Sequence, residues 1–106
     1  MKLYRVKEVC ETTGLTRKQL FDYQKIVKPT SYEKAGYKLY DEDALRNLVM
    51  VSKLRSIDVP LADIKAFLEG RRSKEEVIMS QIKALEERQE KVDEMIEKAR
   101  NMLNEN

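Results

Sequence analysis

The sequence predicts a mainly α-helical protein, in which a compact head with a small β-hairpin precedes one long helix. Three observations favour this architecture. Helix-capping residues followed by a proline and a glycine mark a short helix and a turn within residues 15–40. Apolar residues at helical spacing follow in residues 41–70. The remaining residues carry a seven-residue apolar repeat without Pro or Gly, which is typical of a long coiled-coil helix.

Composition argues against several classes of protein. The 106 residues include no histidine and one cysteine, so we expect no intramolecular disulfide, no familiar zinc cluster and no nucleophilic triad that needs His. Without a phosphate-binding glycine loop or clustered carboxylates, we predict no enzyme, no catalytic or metal-binding residues and no cofactor. No apolar run suits a membrane span or signal peptide, so a cytoplasmic protein without a membrane partner is expected.

The net charge of +2 is divided unequally along the chain. Residues 1–40 carry nine Lys or Arg against four acidic residues, whereas residues 41–106 carry twelve against fifteen. The basic excess therefore belongs to the head. Such an excess favours a polyanionic partner there, although mild basic excess is also common on solvated surfaces.

The first predicted elements are a short strand at residues 2–5 and a helix after it. Val6, Val9 and Cys10 have the i, i+3, i+4 spacing of a buried stripe, and Gly14 suits a left-handed helix C-cap. Cys10 is accordingly predicted to fill a gap in the core; a redox-sensing or metal-sensing thiol is the alternative.

The next predicted helix begins near Arg17, because Thr16 and Gln19 form a capping box. Pro29 disfavours the α conformation at Lys28, so the helix is expected to end there. Its packing side is predicted to consist of Leu20, Tyr23 and either Ile26 or Val27.

The other faces of this helix and the hairpin after it predict a DNA-reading surface. The hairpin spans Ser31–Tyr40 around Gly36; its aromatic residues suit strands and its lysines suit phosphates. The tyrosines can equally pack the head, and Asp22 can either meet a cytosine amino group or remain a solvated charge. The predicted DNA-contacting residues are Thr16, Arg17, Lys18, Gln19, Phe21, Asp22, Tyr23, Lys25, Lys28, Ser31, Tyr32, Lys34, Tyr37, Lys38 and Tyr40.

Two helices are predicted to complete a head that spans residues 1–70. Asp41 is the expected N-cap of a helix that ends near Ser56, and Pro60 suits the first turn of a helix that Gly70 closes. Their apolar faces are Ala44, Leu45, Leu48, Val49, Val51 and Leu54 in the first helix, and Leu61, Ile64, Phe67 and Leu68 in the second.

Residues 71–106 are predicted to form a dimerisation helix. Ser73 and Glu76 make a further capping box, and the helix is expected to run to about Leu103. Its heptad positions, called the seam below, are Ile78, Ile82, Leu85, Gln89, Val92, Ile96, Ala99 and Leu103. A helix that is polar on its remaining faces needs a partner for such a seam, and a second copy is the simplest one. Charge pairs leave the strand direction undecided.

The order of these motifs resembles the winged helix-turn-helix of MerR-type transcription regulators. The matching residues are Tyr4, Arg5, Glu8 and Val9, then Thr13 and Gly14, then Tyr23 and Pro29, then the wing Gly36, Tyr37, Lys38 and Tyr40. Phe21 and Asp22 stand where the family usually has Arg and Tyr. Ser31 and Lys38 replace arginines, and Cys10 replaces an alanine.

The resemblance implies a nucleoid-associated homodimer with an antiparallel coiled coil, bound to a two-fold symmetric promoter site. It further implies bending or untwisting of that DNA, with RNA polymerase as a partner. The sequence ends three residues after Leu103, so a short form without a C-terminal effector domain is expected if this is the whole protein; a truncated piece of a longer protein would have the same sequence. The alternative is a MerR-like protein-binding adaptor, such as a chaperone modulator, that does not bind DNA; the basic residues of the head argue against it.

Overall fold

The structure, a computed structural model, describes residues 1–105 as a small head from which one long helix extends. The molecule measures 71 × 29 × 19 Å, and the long helix accounts for its elongation. In chain order its elements are β1 (Tyr4–Arg5), α1 (Val6–Thr13), α2 (Arg17–Asp22), a 3₁₀ turn (Tyr23–Lys25), β2 (Ser31–Tyr32), β3 (Lys38–Tyr40), α3 (Glu42–Ser56), α4 (Leu61–Leu68) and α5 (Lys74–Leu103).

The predicted N-caps explain where three of these helices begin. At α2 the Thr16 hydroxyl accepts from the Gln19 amide at 3.1 Å, while the Gln19 side chain accepts from the Thr16 amide at 2.9 Å. Asp41 caps α3 through its carboxylate, and Ser73 and Glu76 cap α5 reciprocally. Each cap satisfies an amide that has no partner inside its helix, so these predictions are confirmed.

The predicted hairpin consists of β2 and β3, and β1 joins its other edge to give the antiparallel order β1-β3-β2. Tyr4 lies opposite Tyr40, and Tyr32 lies opposite Lys38. Gly36 has a φ of 87° in the connecting turn, a conformation that L side chains rarely adopt. The strand and the hairpin are confirmed, and the pairing between them fixes the wing against the head.

Apolar stripes from α1, α2, α3 and α4 meet in one core beneath this sheet. Its fully buried members include Val9, Leu20, Leu48 and Ile64. Cys10 is half-buried and packs against the same cluster, as predicted for a gap-filling side chain. Pro60 stands immediately before α4 rather than inside its first turn, and its carbonyl accepts from the Ile64 amide.

The helix predicted to reach Lys28 ends earlier than expected. The α-helical part stops at Asp22, and the chain tightens into a 3₁₀ turn at Tyr23–Lys25. The Tyr23 carbonyl then accepts from the amides of both Ile26 and Val27. This tightening brings Val27, which is 5% exposed, into the core, and tertiary packing thus ends the helix before Pro29 does.

The long helix runs unbroken from Lys74 to Leu103, as predicted, but its first turns belong to the core of the head. Val77 is 1% exposed, and the buried Gln81 donates from Nε2 to the Ile57 and Asp58 carbonyls at 2.8 and 3.2 Å. From residue 86 to residue 105 every side chain is exposed. The head therefore continues past residue 70 into the start of α5.

Candidate nucleic-acid interface

The candidate interface lies where α2 meets the wing. A cleft of about 320 Å³ opens there between β1, α1, α2 and β3; it is called the basic cleft below, and its lining is Arg5, Val6, Lys7, Arg17, Tyr37 and Lys38. Four of these six side chains are cationic at neutral pH. The fold thus gathers positive charge from four separate elements into one concave surface.

The cations of the basic cleft differ in how far they are already neutralised. Arg5 forms a two-pronged pair with Glu33, with Nε to Oε1 at 2.9 Å and Nη2 to Oε2 at 3.1 Å. Among residues 1–105, no carboxylate lies within 4.0 Å of the charged groups of Lys7, Arg17 or Lys38. These three are therefore free to meet an anion, whereas Arg5 mainly ties β1 to the wing.

Two cation–π contacts also connect the wing to the rest of the cleft. The Lys38 Nζ lies 5.2 Å from the centre of the Phe21 ring, and the Arg5 guanidinium lies 6.0 Å from that of Tyr37. Such contacts are worth about 0.5–1 kcal/mol at exposed sites. The Lys38–Phe21 contact favours a fixed distance between α2 and β3, and the Arg5–Tyr37 contact joins β1 to the turn of the wing.

The predicted DNA-contacting residues at the start of α2 are exposed, but two of them also maintain the helix cap. Arg17 and Lys18 occupy the first turn, where their side chains are free to extend outward. The Thr16 hydroxyl and the Gln19 carbonyl oxygen are engaged in the capping box. Thr16 and Gln19 therefore hold the end of α2 in place while Arg17 reaches beyond it.

Other predicted residues lie around this surface rather than within the basic cleft. Asp22 and Lys25 line a separate depression between α2 and α4, together with Ile26, Leu61, Ala62 and Lys65. Ser31 is half-buried in β2, while Lys28, Tyr32 and Lys34 are exposed; Tyr37, which lines the basic cleft itself, is exposed as well. Asp22 thus lines a different depression from the four cations of the basic cleft.

Two predicted contact residues are corrected by the structure. Tyr23 is 7% exposed and Tyr40 is 0% exposed, and both are members of the core. Burial raises the pKa of the Tyr40 hydroxyl, with smaller contributions from Tyr32 and Cys10. Their rings are excluded from base or sugar contact because the 3₁₀ turn after α2 carries Tyr23 into the core and the inner face of β3 carries Tyr40 there.

Two residues of the basic cleft, Arg5 and Lys7, were absent from the predicted set. Arg5 reaches the cleft because β1 pairs with β3, which places Arg5 opposite Leu39 and beside Lys38. Lys7 follows on the first turn of α1. The available signal was the predicted strand at residues 2–5 itself, since a strand preceding a two-stranded wing needs a partner edge.

The seam of α5 is a second exposed feature. Ile82, Val92 and Ile96 are 42%, 47% and 45% exposed, and Leu103 is 86% exposed. These are large apolar side chains on a helix whose Val77, Gln81 and Arg88 contact the head. A strip of this kind marks a surface that another apolar surface covers.

Residues 1–105 contain neither a candidate metal site nor a membrane-spanning helix. Within residues 1–105, no group of three or more His, Cys, Asp or Glu side chains is placed to hold a metal ion. No helix within those residues is long and apolar enough to cross a membrane.

Comparison with known proteins gave a family and several relatives. A family model described as MerR HTH family regulatory protein matches residues 4–71. The HTH-type transcriptional activator mta of Bacillus subtilis is 30% identical over 97 residues, or 89% of this chain and 38% of that protein. The HTH-type transcriptional regulator SkgA of Caulobacter vibrioides is 32% identical over 71 residues, or 65% and 28%. The chain spans less than half the length of these curated relatives.

Solved structures have the same fold. MtaN, the N-terminal part of the Bacillus subtilis multidrug transporter activator, matches with a TM-score of 0.83 and 29% identity, covering 94% of this chain and 97% of that one. HiNmlR, a MerR family regulator lacking the sensor domain and bound to promoter DNA, matches with a TM-score of 0.60 and 20% identity, covering 97% and 80%. The second likeness concerns the fold alone.

Proposed function

The chain belongs to the MerR family of helix-turn-helix regulatory proteins, and from this premise we propose that it is a transcriptional regulator that binds double-stranded DNA through α2 and the wing. The observation that carries the proposal is the basic cleft, where Lys7, Arg17 and Lys38 lie beside the capped start of α2 and have no carboxylate partner among the described residues 1–105. Such a cleft suits the polyanionic phosphate backbone of DNA. The start of a helix with a projecting Arg suits the major groove.

In this proposal the lysines of the cleft and Arg17 contact different parts of the DNA. Lys38 on the wing and Lys7 on α1 meet phosphates and set the position of the head on the duplex. Arg17 reaches a base edge, since a guanidinium can donate two parallel hydrogen bonds to guanine O6 and N7. Lys18, Lys28 and Lys34 add positive charge around this contact.

The dimeric form is the second part of the proposal. Two copies cover the exposed seam of α5 with each other, so the part of the predicted segment 71–106 that extends beyond the head acts in dimerisation, and each dimer presents two heads. Two identical heads require a two-fold symmetric site. We further propose that the dimer bends or untwists promoter DNA to fit both heads, which changes how RNA polymerase meets the promoter.

Selection of binding sites from random duplex DNA by the whole chain tests the proposal. The expected result is one enriched two-fold symmetric sequence, bound with two chains per duplex when mass is measured by analytical ultracentrifugation. The double variant Arg17→Ala/Lys38→Ala should enrich no sequence. Lys91→Ala is the matched control, because it removes an exposed lysine of α5 outside the cleft and should select the same site.

The outcomes separate DNA binding from the adaptor function. If the whole chain binds no more duplex DNA than the double variant does, the DNA-binding proposal fails and a protein-binding adaptor is the better account. If a site is selected but one chain binds per duplex, DNA binding stands and the dimeric part fails.

A further inference from the structure

Phe21 is a large aromatic side chain that folding leaves in solvent on the DNA-facing side of α2. It is 65% exposed, one helical turn after Arg17. Both residues line a single depression between α2 and β3, together with Val6, Leu20, Gln24, Lys38 and Tyr40. Phe21 is not a member of the buried core, and the basic side chains of Arg17 and Lys38 lie in the same depression as its ring.

The surroundings of the ring restrict what it can contact. If α2 enters the major groove, the apolar group displayed there is the 5-methyl of thymine. The flat faces of the bases are stacked inside an intact duplex, so a ring in the groove reaches them only after unstacking. Because the Lys38 ammonium lies 5.2 Å from the ring centre, the ring is also held toward the wing rather than free to turn away.

We propose that Phe21 is a specificity-determining residue that recognises the 5-methyl group of a thymine in each half-site. This inference rests on the proposed function and names the chemical group that α2 reads. Arg17 and Phe21 are four residues apart, about 6 Å along the helix, while neighbouring bases on one strand are about 3.4 Å apart. The thymine therefore lies within about two base pairs of the position that Arg17 reads.

Replacing thymine with uracil tests this inference, because the exchange removes only the methyl group and keeps Watson–Crick pairing. A site selected by the wild-type chain is resynthesised with deoxyuridine at one thymine pair at a time, and Kd is measured by fluorescence anisotropy at a fixed salt concentration. Loss of one buried methyl is expected to weaken binding about fourfold in one half-site, and about fifteenfold in both.

Variants show whether Phe21 is the group that senses the methyl. Phe21→Ala should bind thymine DNA about as weakly as the wild type binds the uracil DNA, and should show no further loss on uracil. Phe21→Leu, which keeps an apolar side chain, should retain part of the methyl effect. Tyr37→Ala is the matched control, since Tyr37 is a comparably exposed aromatic residue at 64% on the wing. It should keep the full methyl effect whatever its own affinity.

The outcomes distinguish this inference from the proposed function. If the wild type binds its selected site but is insensitive to uracil at every thymine, the methyl inference is wrong and DNA binding stands. If Phe21→Ala keeps the full uracil effect, another group reads the methyl and the inference is also wrong. If no site is selected at all, both fail. Circular dichroism of Phe21→Ala should match the wild type, because the ring is outside the core.

Discussion

At the scale of single residues, the cations of the basic cleft differ in their contacts. The Arg5 guanidinium is paired with the Glu33 carboxylate, whereas the Lys38 ammonium lies over the Phe21 ring and has no carboxylate within 4.0 Å among residues 1–105. Lys is a compact charge without the planar fork of Arg, so it suits a phosphate better than a base edge. Arg17 has the fork and stands at the start of α2.

From this difference we predict distinct effects of two alanine substitutions. Lys38→Ala should weaken binding to all sequences about equally and reduce the slope of log K against log salt by about one, as expected on loss of one phosphate contact. Arg17→Ala should instead relax preference at one position per half-site by about 1–3 kcal/mol. Kd measurements over a salt series, on the selected site and on its single-base variants, check both. A change of sequence preference in Lys38→Ala but not in Arg17→Ala would exchange the assigned roles.

Tyr40 presents a different situation, because its hydroxyl is buried without a hydrogen-bond partner among the described residues. A buried hydroxyl without a partner costs about 1–3 kcal/mol. Tyr40→Phe is therefore expected to raise the free energy of unfolding by about 1 kcal/mol, measured in urea. Tyr37→Phe, which changes an exposed ring, should leave it unchanged. A clear loss of stability in Tyr40→Phe would mean that the hydroxyl has a partner in solution.

The raised pKa of Tyr40 adds a pH dependence. In the folded state the Tyr40 hydroxyl keeps its proton to a higher pH than in the unfolded state, where the pKa of tyrosine is about 10. Above that pH the unfolded state binds fewer protons than the native state, so the stability of the native state falls as pH rises. Tyr40→Phe should flatten this decline in urea unfolding measured between about pH 9 and 11.

At the scale of elements, the corner between α3 and α4 is the point where the head holds α5. Asp58 has a φ of 65°, which is uncommon for a residue with a side chain. Gln81 donates to the carbonyls of Ile57 and Asp58, and Arg88 donates to the Asp58 carboxylate at 3.0 Å. Since the Arg88 pair is exposed, the buried amide of Gln81 is the stronger part of this contact.

Two Gln→Leu substitutions on α5 should therefore have opposite effects. Gln81→Leu keeps the volume but leaves two carbonyls without their donor, so we expect a loss of about 1–2 kcal/mol in the free energy of unfolding. Gln89→Leu replaces the polar residue of the seam and should raise dimer stability while loosening its register. Urea unfolding at several protein concentrations separates head stability from dimer stability. Equal effects of the two changes would contradict the separate roles of the two glutamines.

Whether a feature of the fold could be predicted from the sequence depends on whether the residues that form it are close together in the chain. The Thr16 cap and the Gly36 turn depend on residues close in sequence, so the sequence predicted them. The burial of Tyr40, the pairing of β1 with β3 and the contact of Gln81 with the α3–α4 corner depend on residues far apart in the chain. Capping, spacing and turn chemistry carry no information about such pairings, which is why half of the basic cleft's cations were missed and two tyrosines were assigned to the wrong side.

At the scale of the whole molecule, the thirty residues of α5 extend for about 45 Å. Its start is packed on the head, and its remainder exposes the seam, so a dimer formed through α5 would fix the distance between two heads. Recognition helices in two successive major grooves on one side of a duplex lie about 34–36 Å apart. A coil longer than this repeat suits a duplex that is bent or underwound to comply.

Truncation should separate the head from the dimer. Ending the chain after Arg88 keeps Val77, Gln81 and Arg88, which contact the head, and removes the second half of the seam. We expect a folded monomer whose specific affinity falls by about 100-fold or more, because the second half-site is no longer bound at a high effective concentration. Circular dichroism checks that the truncated chain is folded, ultracentrifugation checks that it is a monomer, and fluorescence anisotropy on the selected site measures its affinity. A truncated chain that binds as tightly as the whole chain would contradict the two-headed mode.

The spacing of the half-sites should be fixed by the same rigid helix pair. Inserting five base pairs at the centre of the selected site moves one half-site to the opposite side of the duplex, since one turn takes about 10–10.5 base pairs. The whole chain is expected to lose about as much affinity as the truncated chain does. Inserting ten base pairs restores the side but adds about 34 Å, which a helix pair of fixed length cannot follow. Affinity should thus remain low for both insertions, whereas heads joined by a flexible tether would recover on the ten-base-pair site.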